Sequence, residues 1–148
     1  MRVYLDVCCL NRPFDDQSQE RVRLETEVLI LLFLRVQAGD ARWVSSEVND
    51  YEVSQTPNML RRSRVVALAR TASEHVRLEA QDEERGVALG KLGFGSFDAL
   101  HVACAERAGV DALLTTDDGL VKLAARHANE LHVVVRNPLR WYLESMEP

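Results

Sequence analysis

The stretch MRVYLDVCCLNR, residues 1–12, starts with a short apolar run and places a carboxylate directly behind it. Val3, Tyr4 and Leu5 form the apolar run, and Asp6 follows at once. A short apolar run of this kind predicts a buried strand. In open α/β sheets, ligands bind beyond the carboxyl ends of the strands, so the position of Asp6 is that of a candidate site residue.

Helical and strand-like patterns alternate along the rest of the chain. Strands are predicted at residues 2–5, 42–44, 75–78, 112–115 and 131–135, the last being the clearest. Helices are predicted at 20–38, 46–54, 58–72, 81–92, 96–108, 118–128 and from Pro138 onward, with a loop at 12–16. Such alternation implies right-handed crossovers and a parallel sheet covered by helices. We therefore expect a single domain over residues 1–148, with a three-layer α/β/α arrangement around a central parallel sheet.

The composition excludes several broad classes of protein. Of the 148 residues, 47% are hydrophobic and 28% are charged, as in an ordinary globular chain. The longest apolar run, Val28 to Leu34, falls far short of the ~20 residues of a membrane span. With no visible secretory signal and three cysteines that read as reduced thiols, we expect a cytoplasmic protein without membrane contact. The net charge of −5 argues against a broad basic surface for nucleic acid, although not against nucleic acid as a substrate.

Three further carboxylates can reach the edge of the sheet at which Asp6 is expected. Asp117 follows a strand-like segment as Asp6 does, Asp98 lies in the first turn of a helix that Ser96 is predicted to cap, and Glu52 lies near the end of a short helix. Taken singly, the last three have ordinary explanations as capping, turn or solvated helix residues. A strand-end Asp has no helix cap to explain it, which makes Asp6 the strongest candidate.

Several carboxylates in one place repel one another and raise one another's pKa values unless a cation accompanies them. Mg²⁺ and Mn²⁺ prefer oxygen ligands and carry the compensating charge. A site of this kind activates water for attack on phosphorus and stabilises the leaving oxygen. The carboxylates therefore predict metal-assisted phosphodiester hydrolysis.

Four segments resemble the acidic motifs of the PIN domain family, in the family's order and over nearly the whole chain. They are YLD (4–6), SEVNDYE (46–52), FDALHVACA (97–105) and LLTTDD (113–118). The family consists of metal-dependent ribonucleases and includes the VapC-type toxins of bacterial toxin–antitoxin modules. The resemblance implies an RNA endonuclease that uses Mg²⁺ or Mn²⁺, with an antitoxin as a possible protein partner. It also implies that the catalytic and metal-binding residues are Asp6, Glu52, Asp98 and Asp117.

The chain departs from the family pattern directly after the first Asp. Many members have a hydroxyl residue there and then an Asn, whereas this chain has Val7 and Cys8. We expect Asn11 or Thr115 to supply part of the missing polar contact.

Two other residues compete for places in the site. Glu47 lies on the same predicted helix as Glu52, which we prefer because of its spacing after Ser46. His101 lies one turn beyond Asp98, where i, i+3 neighbours can touch, and a core or supporting position is expected for it rather than metal ligation.

Basic and apolar segments give further expectations. Arg12 is the best single candidate for a phosphate contact, because its guanidinium is planar and forked. The cluster Arg61 to Arg64 either forms a solvated helix face or meets RNA phosphates or an acidic partner. The helix around Val28–Leu34 is apolar on every side, so we expect one flank to form a homodimer contact.

Other α/β proteins also carry strand-end aspartates. A receiver-type phospho-acceptor domain needs a Lys after the last strand of the site, and the nearest one, Lys122, falls within a predicted helix. A phosphatase of the haloacid-dehalogenase type needs Asp-x-Asp at the first strand, where this chain has Cys8 as the third residue. A catalytically silent binding module with the PIN-like fold remains the alternative to the nuclease.

Overall fold

A computed structural model describes residues 1–145 of the chain as five strands, eight α-helices and one 3-10 helix. The strands are β1 (Arg2–Leu5), β2 (Arg42–Ser46), β3 (Glu74–Val76), β4 (Ala112–Leu114) and β5 (Val135–Arg136). The helices are α1 (Val7–Asn11), α2 (Glu20–Gln37), α3 (Glu47–Ser54), α4 (Met59–Ala69), α5 (Ala80–Lys91), α6 (Ser96–Ala108), α7 (Asp118–Arg126) and α8 (Pro138–Ser145). The 3-10 helix covers Arg12–Phe14, within the segment predicted as a loop.

The strands form one parallel sheet in the order β3-β2-β1-β4-β5. β1 is the central strand and pairs with β2 on one side and β4 on the other. Because all strands run the same way, the carboxyl ends of β1, β2 and β4 meet at one edge. The predicted parallel α/β fold is confirmed, and this edge is where the site must be sought.

Side chains of the central strands alternate between two cores. Tyr4 and Leu113 point into a core that contains residues of α5 and α6. Val3 and Leu5 point into the opposite core, which contains residues of α2 and α4. This alternation is the period of a strand covered on both faces, and it gives the three-layer arrangement.

Two elements differ from the sequence-based expectation. Residues 7–11 form the short helix α1, and Asp6 is its N-cap, so the absence of a cap expected at Asp6 was wrong. Likewise, Gly95 is the N-cap residue of α6 and Ser96 is the first residue inside that helix. Both differences concern where a helix begins, a position that a sequence pattern defines only to within one or two residues.

The segment 131–135, predicted as the clearest strand, is mostly irregular. Only Val135 and Arg136 pair with β4, and Val134 contributes a carbonyl that accepts from the amide of Leu113 at 2.8 Å. β5 is an edge strand whose single neighbour has only three residues. Hydrogen bonding to a neighbouring strand limits the length of a strand, so the strong β propensity of this segment did not by itself extend β5.

Helix α2 is buried on one face only. Ile30, Leu31 and Leu34 are 46%, 44% and 54% exposed, whereas Leu29 and Leu32 lie in the core. Within residues 1–145, the helices include none long and apolar enough to cross a membrane. The homodimer contact on the exposed flank stays a prediction.

A buried carboxylate on α2 joins three parts of the chain. The side chain of Glu25 is 1% exposed and accepts hydrogen bonds from Arg12 at 2.9 Å and Arg21 at 3.3 Å. The amide of Asn137, which precedes α8, also donates to it. A buried charge that is paired and hydrogen-bonded holds the 3-10 helix, α2 and the start of α8 in one arrangement.

We predict that Glu25→Ala lowers the free energy of unfolding by about 3 kcal/mol or more, because it removes the buried carboxylate that Arg12, Arg21 and Asn137 share. Chemical denaturation followed by circular dichroism measures this change. The matched control is Glu27→Ala at an exposed position of the same helix, which should change stability by less than about 0.5 kcal/mol. Equal effects of the two substitutions would show that the hydrogen bonds of Glu25 contribute no more to the free energy of unfolding than an exposed glutamate does.

Candidate metal centre

Asp6 is held rigidly at the carboxyl end of β1. It is 5% exposed, its Oδ1 accepts from the amide of Val7 at 2.8 Å, and its Oδ2 accepts from Thr115 Oγ1 at 2.8 Å. The thiol of Cys8 lies 3.4 Å from Oδ2. The hydroxyl of Thr115 is therefore hydrogen-bonded to Asp6 itself, and its expected polar contact at a metal site stays a prediction. Asn11 is turned away, since its amide donates to the carbonyl of Val7.

Glu52 and His101 meet beside Asp6 because α3 and α6 pack against each other. The Glu52 Oε1 lies 2.8 Å from His101 Nε2, and that nitrogen lies 3.7 Å from Asp6 Oδ1. One ligand atom from each of the three residues lies within 4.8 Å of the other two. The carboxylates of Asp6 and Glu52 are thus gathered at the edge of the sheet, around a buried imidazole.

A buried hydrogen-bonded chain orients the imidazole. Tyr4 Oη lies 2.6 Å from His101 Nδ1 and 2.6 Å from Ser46 Oγ, and all three residues are fully buried. Burial raises the pKa of the Tyr4 hydroxyl well above its usual range, so that it stays protonated. A Tyr4 hydroxyl that donates to Nδ1 leaves Nε2 as the N–H that faces the carboxylate of Glu52.

Asp98 lies half-buried in the first turn of α6, and its pKa is raised to about 6. Burial is the largest cause, followed by the negative charges of Asp6 and Asp117. The shift shows that these carboxylates act on one another electrostatically.

Asp117 is the N-cap of α7 and is exposed. Its Oδ1 accepts from the amides of Gly119 at 2.8 Å and Leu120 at 3.2 Å. Its own amide donates to Thr115 Oγ1 at 3.1 Å, the hydroxyl that also contacts Asp6. One carboxylate oxygen of Asp117 therefore caps α7. The hydroxyl of Thr115 connects the backbone amide of Asp117 to the side chain of Asp6.

The rival Glu47 occupies a different place. It is exposed, and its Oε1 accepts from the amide of Leu78 at 3.3 Å. Glu52, half-buried, is the glutamate that lies beside Asp6. The preference for Glu52 came from its spacing after Ser46 in the segment SEVNDYE, which resembles the family motif.

The basic residues expected to meet phosphate are bound to the protein itself. Arg12 pairs with Glu25 and with Asp15 at 3.1 Å. Arg61 pairs with Asp15 at 2.8 Å and donates to the carbonyl of Phe14. These contacts correct the expectation for Arg12, whose guanidinium supports the segment after β1 instead of facing the carboxylates.

His101 was expected to lie in the core or to support the site, and the structure places it in both positions at once. The sequence signal was its place one turn after Asp98, but that spacing did not reveal that the ring faces Glu52. The role of Tyr4 was missed entirely, because nothing in a strand pattern tells a polar contact of a buried Tyr from packing.

The donor set fits a divalent cation. Carboxylate oxygens suit Mg²⁺ and Mn²⁺, so Asp6 and Glu52 are the ligands that this set offers to either ion. His101 Nε2 serves either as a donor to Glu52 or as a ligand, since one nitrogen cannot do both. Burial is the largest cause of the raised pKa of Asp98, and the charges of Asp6 and Asp117 add to it; a cation would offset that second contribution.

Because the pKa of Asp98 is raised in the folded state, its ionised form destabilises the fold above pH 6, and this cost disappears as the pH falls toward 3.8. In EDTA at pH 7.5, Asp98→Asn should therefore raise the free energy of unfolding by about 1–2 kcal/mol, after solvent screening. The gain should shrink at pH 5. Urea unfolding at both pH values tests this.

The control for this prediction is Asp40→Asn, which changes an exposed carboxylate just after α2. We expect its effect on stability to be small and the same at both pH values. A gain for Asp98→Asn that does not depend on pH would contradict the electrostatic explanation.

Comparison with known proteins agrees with this geometry. The model of the PIN domain family matches residues 3–126. No curated protein sequence matches the chain. Among solved structures, the fold is similar to one in the crystal structure of VapBC2 from Rickettsia felis bound to a DNA fragment from their promoter, with a TM-score of 0.56. That similarity covers 93% of this chain and 98% of the other, at 14% identity, so it shows the fold alone.

The family match takes in β1 through the end of α7, and with them all the elements that carry the four acidic residues. The parallel α/β sheet is the fold that the resemblance implied. The chain belongs to the PIN domain family.

Proposed function

We propose that this protein is a divalent-metal-dependent RNA endonuclease that hydrolyses phosphodiester bonds, in the manner of a toxin. The proposal assigns the catalytic and metal-binding roles to Asp6, Glu52, Asp98 and Asp117. The observation that carries it is the convergence of Asp6 and Glu52 at one edge of the sheet, with ligand atoms inside 4.8 Å together with His101. Membership of a family whose members are typically nucleases supports it.

Each carboxylate has a role that follows from its surroundings. Asp6 is pinned by Thr115 and the amide of Val7, so it presents its charge in one orientation. Glu52 is held by His101 and stays partly open to solvent, with 29% of its side chain exposed. A divalent cation bound here supplies Lewis-acid stabilisation of the phosphoryl oxygens and lowers the pKa of a coordinated water.

Asp98 and Asp117 complete the negative field. The pKa of Asp98 is raised to about 6 by burial and by the charges of Asp6 and Asp117, so a bound cation would stabilise its ionised form. Asp117 uses one oxygen as a helix cap and keeps the other for the solvent side of the site. The rigid placement of all four groups at strand and helix ends limits the reorganisation that hydrolysis requires.

The toxin role includes a protein partner. The similar structure from Rickettsia felis is that of VapBC2 with a promoter DNA fragment, which supports an antitoxin partner for this chain. The exposed flank of α2, with Ile30, Leu31 and Leu34, is the surface we assign to a second copy of the chain. Both interactions fit a protein of net charge −5 whose own surface does not favour DNA.

The alternative is a silent binding module that keeps the fold without catalysis. Val7 and Cys8, in place of the hydroxyl and amide residues common in the family, favour it. The hydroxyl of Thr115 bound to Asp6 counts against it, because it supplies the polar contact from β4. Activity decides between the two.

We predict that Asp6→Asn lowers the rate of RNA cleavage about 100-fold or more, because it removes one charge from the metal site and keeps the shape. The assay is cleavage of a structured RNA with Mg²⁺ or Mn²⁺, with EDTA as the blank. Without metal, the variant should be as stable as the wild type or slightly more stable, since a repulsive charge is gone.

The control is Asp118→Asn, which changes the acidic residue directly after Asp117, at the first position of α7. Asp118 pairs with Arg21 at 2.7 Å on the surface, an interaction of small energetic value. Its substitution should leave cleavage close to that of the wild type. If the wild type cuts no RNA with either metal, or if Asp6→Asn cuts as well as the wild type, the silent module replaces the nuclease.

A second prediction concerns metal binding without turnover. Mg²⁺ or Mn²⁺ at about 100 times its Kd should stabilise the protein by about 2.7 kcal/mol, which raises Tm by roughly 5–10 °C in a chain of this size. Asp6→Asn should remove most of this shift, and Asp118→Asn should keep it. Differential scanning fluorimetry with and without EDTA measures it, and an unchanged Tm in the wild type would count against the metal centre.

A further inference from the structure

We propose that Tyr51 and Phe97 form a stacking platform for an unpaired nucleobase of the RNA substrate, next to the scissile phosphate. This subsite rests on the proposed nuclease function and adds to it two residues that position the substrate. The two residues lie at the border of the carboxylate cluster and take no part in it.

The two rings are packed against each other at the surface. Their centroids lie 5.8 Å apart with an interplanar angle of 43°. Tyr51 is 58% exposed and Phe97 is 37% exposed. Large aromatic rings are normally covered by the core or by a partner, so an exposed aromatic pair is a candidate contact surface.

The pair lies beside the metal centre because of where the residues fall in the chain. Tyr51 directly precedes Glu52 on α3, and Phe97 directly precedes Asp98 on α6. Phe97 also lies one turn before His101 on α6, and the ring of His101 contacts Glu52 at 2.8 Å, so the ring pair and the Glu52–His101 contact share one junction of α3 and α6. The packing of α3 on α6 that brings the carboxylates together therefore brings the rings together.

Electrostatics explains why stacking is needed here. The site is acidic. Arg12, in the segment after β1, and Arg61, on α4, are paired with other residues of the protein. Arg12 is paired with Glu25 and Asp15, and Arg61 is paired with Asp15. A nucleotide strand that reaches this site therefore gains little from ion pairs with these side chains, whereas stacking on an aromatic face needs no charge.

The geometry also selects the kind of strand. A base inserted between two rings needs a gap of about 7 Å, twice the base-to-base rise of a strand. At 5.8 Å and tilted, the rings exclude insertion and offer an outer face instead. Bases within a duplex are already stacked on both sides, so only an unpaired base can use this face.

The test compares Tyr51→Ala and Phe97→Ala with the wild type. We expect each substitution to weaken binding of a labelled single-stranded RNA about 10-fold, measured by fluorescence anisotropy with Mg²⁺, and to raise KM for its cleavage with less effect on kcat. Tyr51→Phe should restore the wild-type values, because it keeps the ring. The cleavage rate of a fully paired duplex of the same sequence should not respond to either substitution.

The matched control is Leu143→Ala on α8, an exposed apolar residue with a side-chain exposure of 56% that lies outside the pair. It should change neither RNA binding nor KM, and all variants should keep the wild-type Tm within about 2 °C. An effect of Leu143→Ala equal to that of Tyr51→Ala would overturn the assignment of the platform to the pair.

The outcomes separate the two proposals. If the wild type cleaves single-stranded RNA and the alanine variants bind and cleave it equally well, the platform is wrong and the nuclease stands, which leaves the rings as a contact for a protein partner. If the wild type binds RNA without cleaving it and the alanine variants lose that binding, the platform stands and the nuclease is wrong. If the wild type binds no RNA, both are overturned.

Discussion

The hydrogen bond from Thr115 to Asp6 is the contact on which the arrangement of the site depends. It joins the end of β4 to the end of β1, and the amide of Asp6 extends the same pairing by donating to the carbonyl of Leu114. The hydroxyl of Thr115 also accepts from the amide of Asp117. One buried hydroxyl thus sets the positions of two carboxylates relative to the sheet, and an error in strand register would separate them.

Electrostatic repulsion is the second constraint, and the fold opposes it with packing. Burial and neighbouring charges keep the pKa of Asp98 at about 6, so the metal-free site holds acidic groups in an unfavourable state. The side chain of Glu52 contacts His101 at 2.8 Å, and His101 in turn contacts the hydroxyl of Tyr4 at 2.6 Å. The stability of the rest of the chain maintains this crowded site, as is usual where function requires strain or charge.

The arginines illustrate how a charged side chain can be misread from sequence. Arg12 follows Asp6 closely in the sequence, which suggested a phosphate contact. In the structure, the guanidinium of Arg12 pairs with the carboxylate of Glu25 on α2. Its guanidinium holds the segment after β1 in place, which makes it a structural partner of the site.

The sequence by itself determined the alternation of the five strands with the longer helices, the parallel sheet and the preference for Glu52 over Glu47. These features follow from hydrophobic period, capping residues and spacing, all of which are local. Only the tertiary structure decided that residues 131–134 lie outside the sheet and that the ring of His101 faces Glu52. These depend on the length of a neighbouring strand and on the packing of α3 against α6. Contacts between segments far apart in the chain leave no periodic trace in the sequence, so only the folded arrangement reveals them.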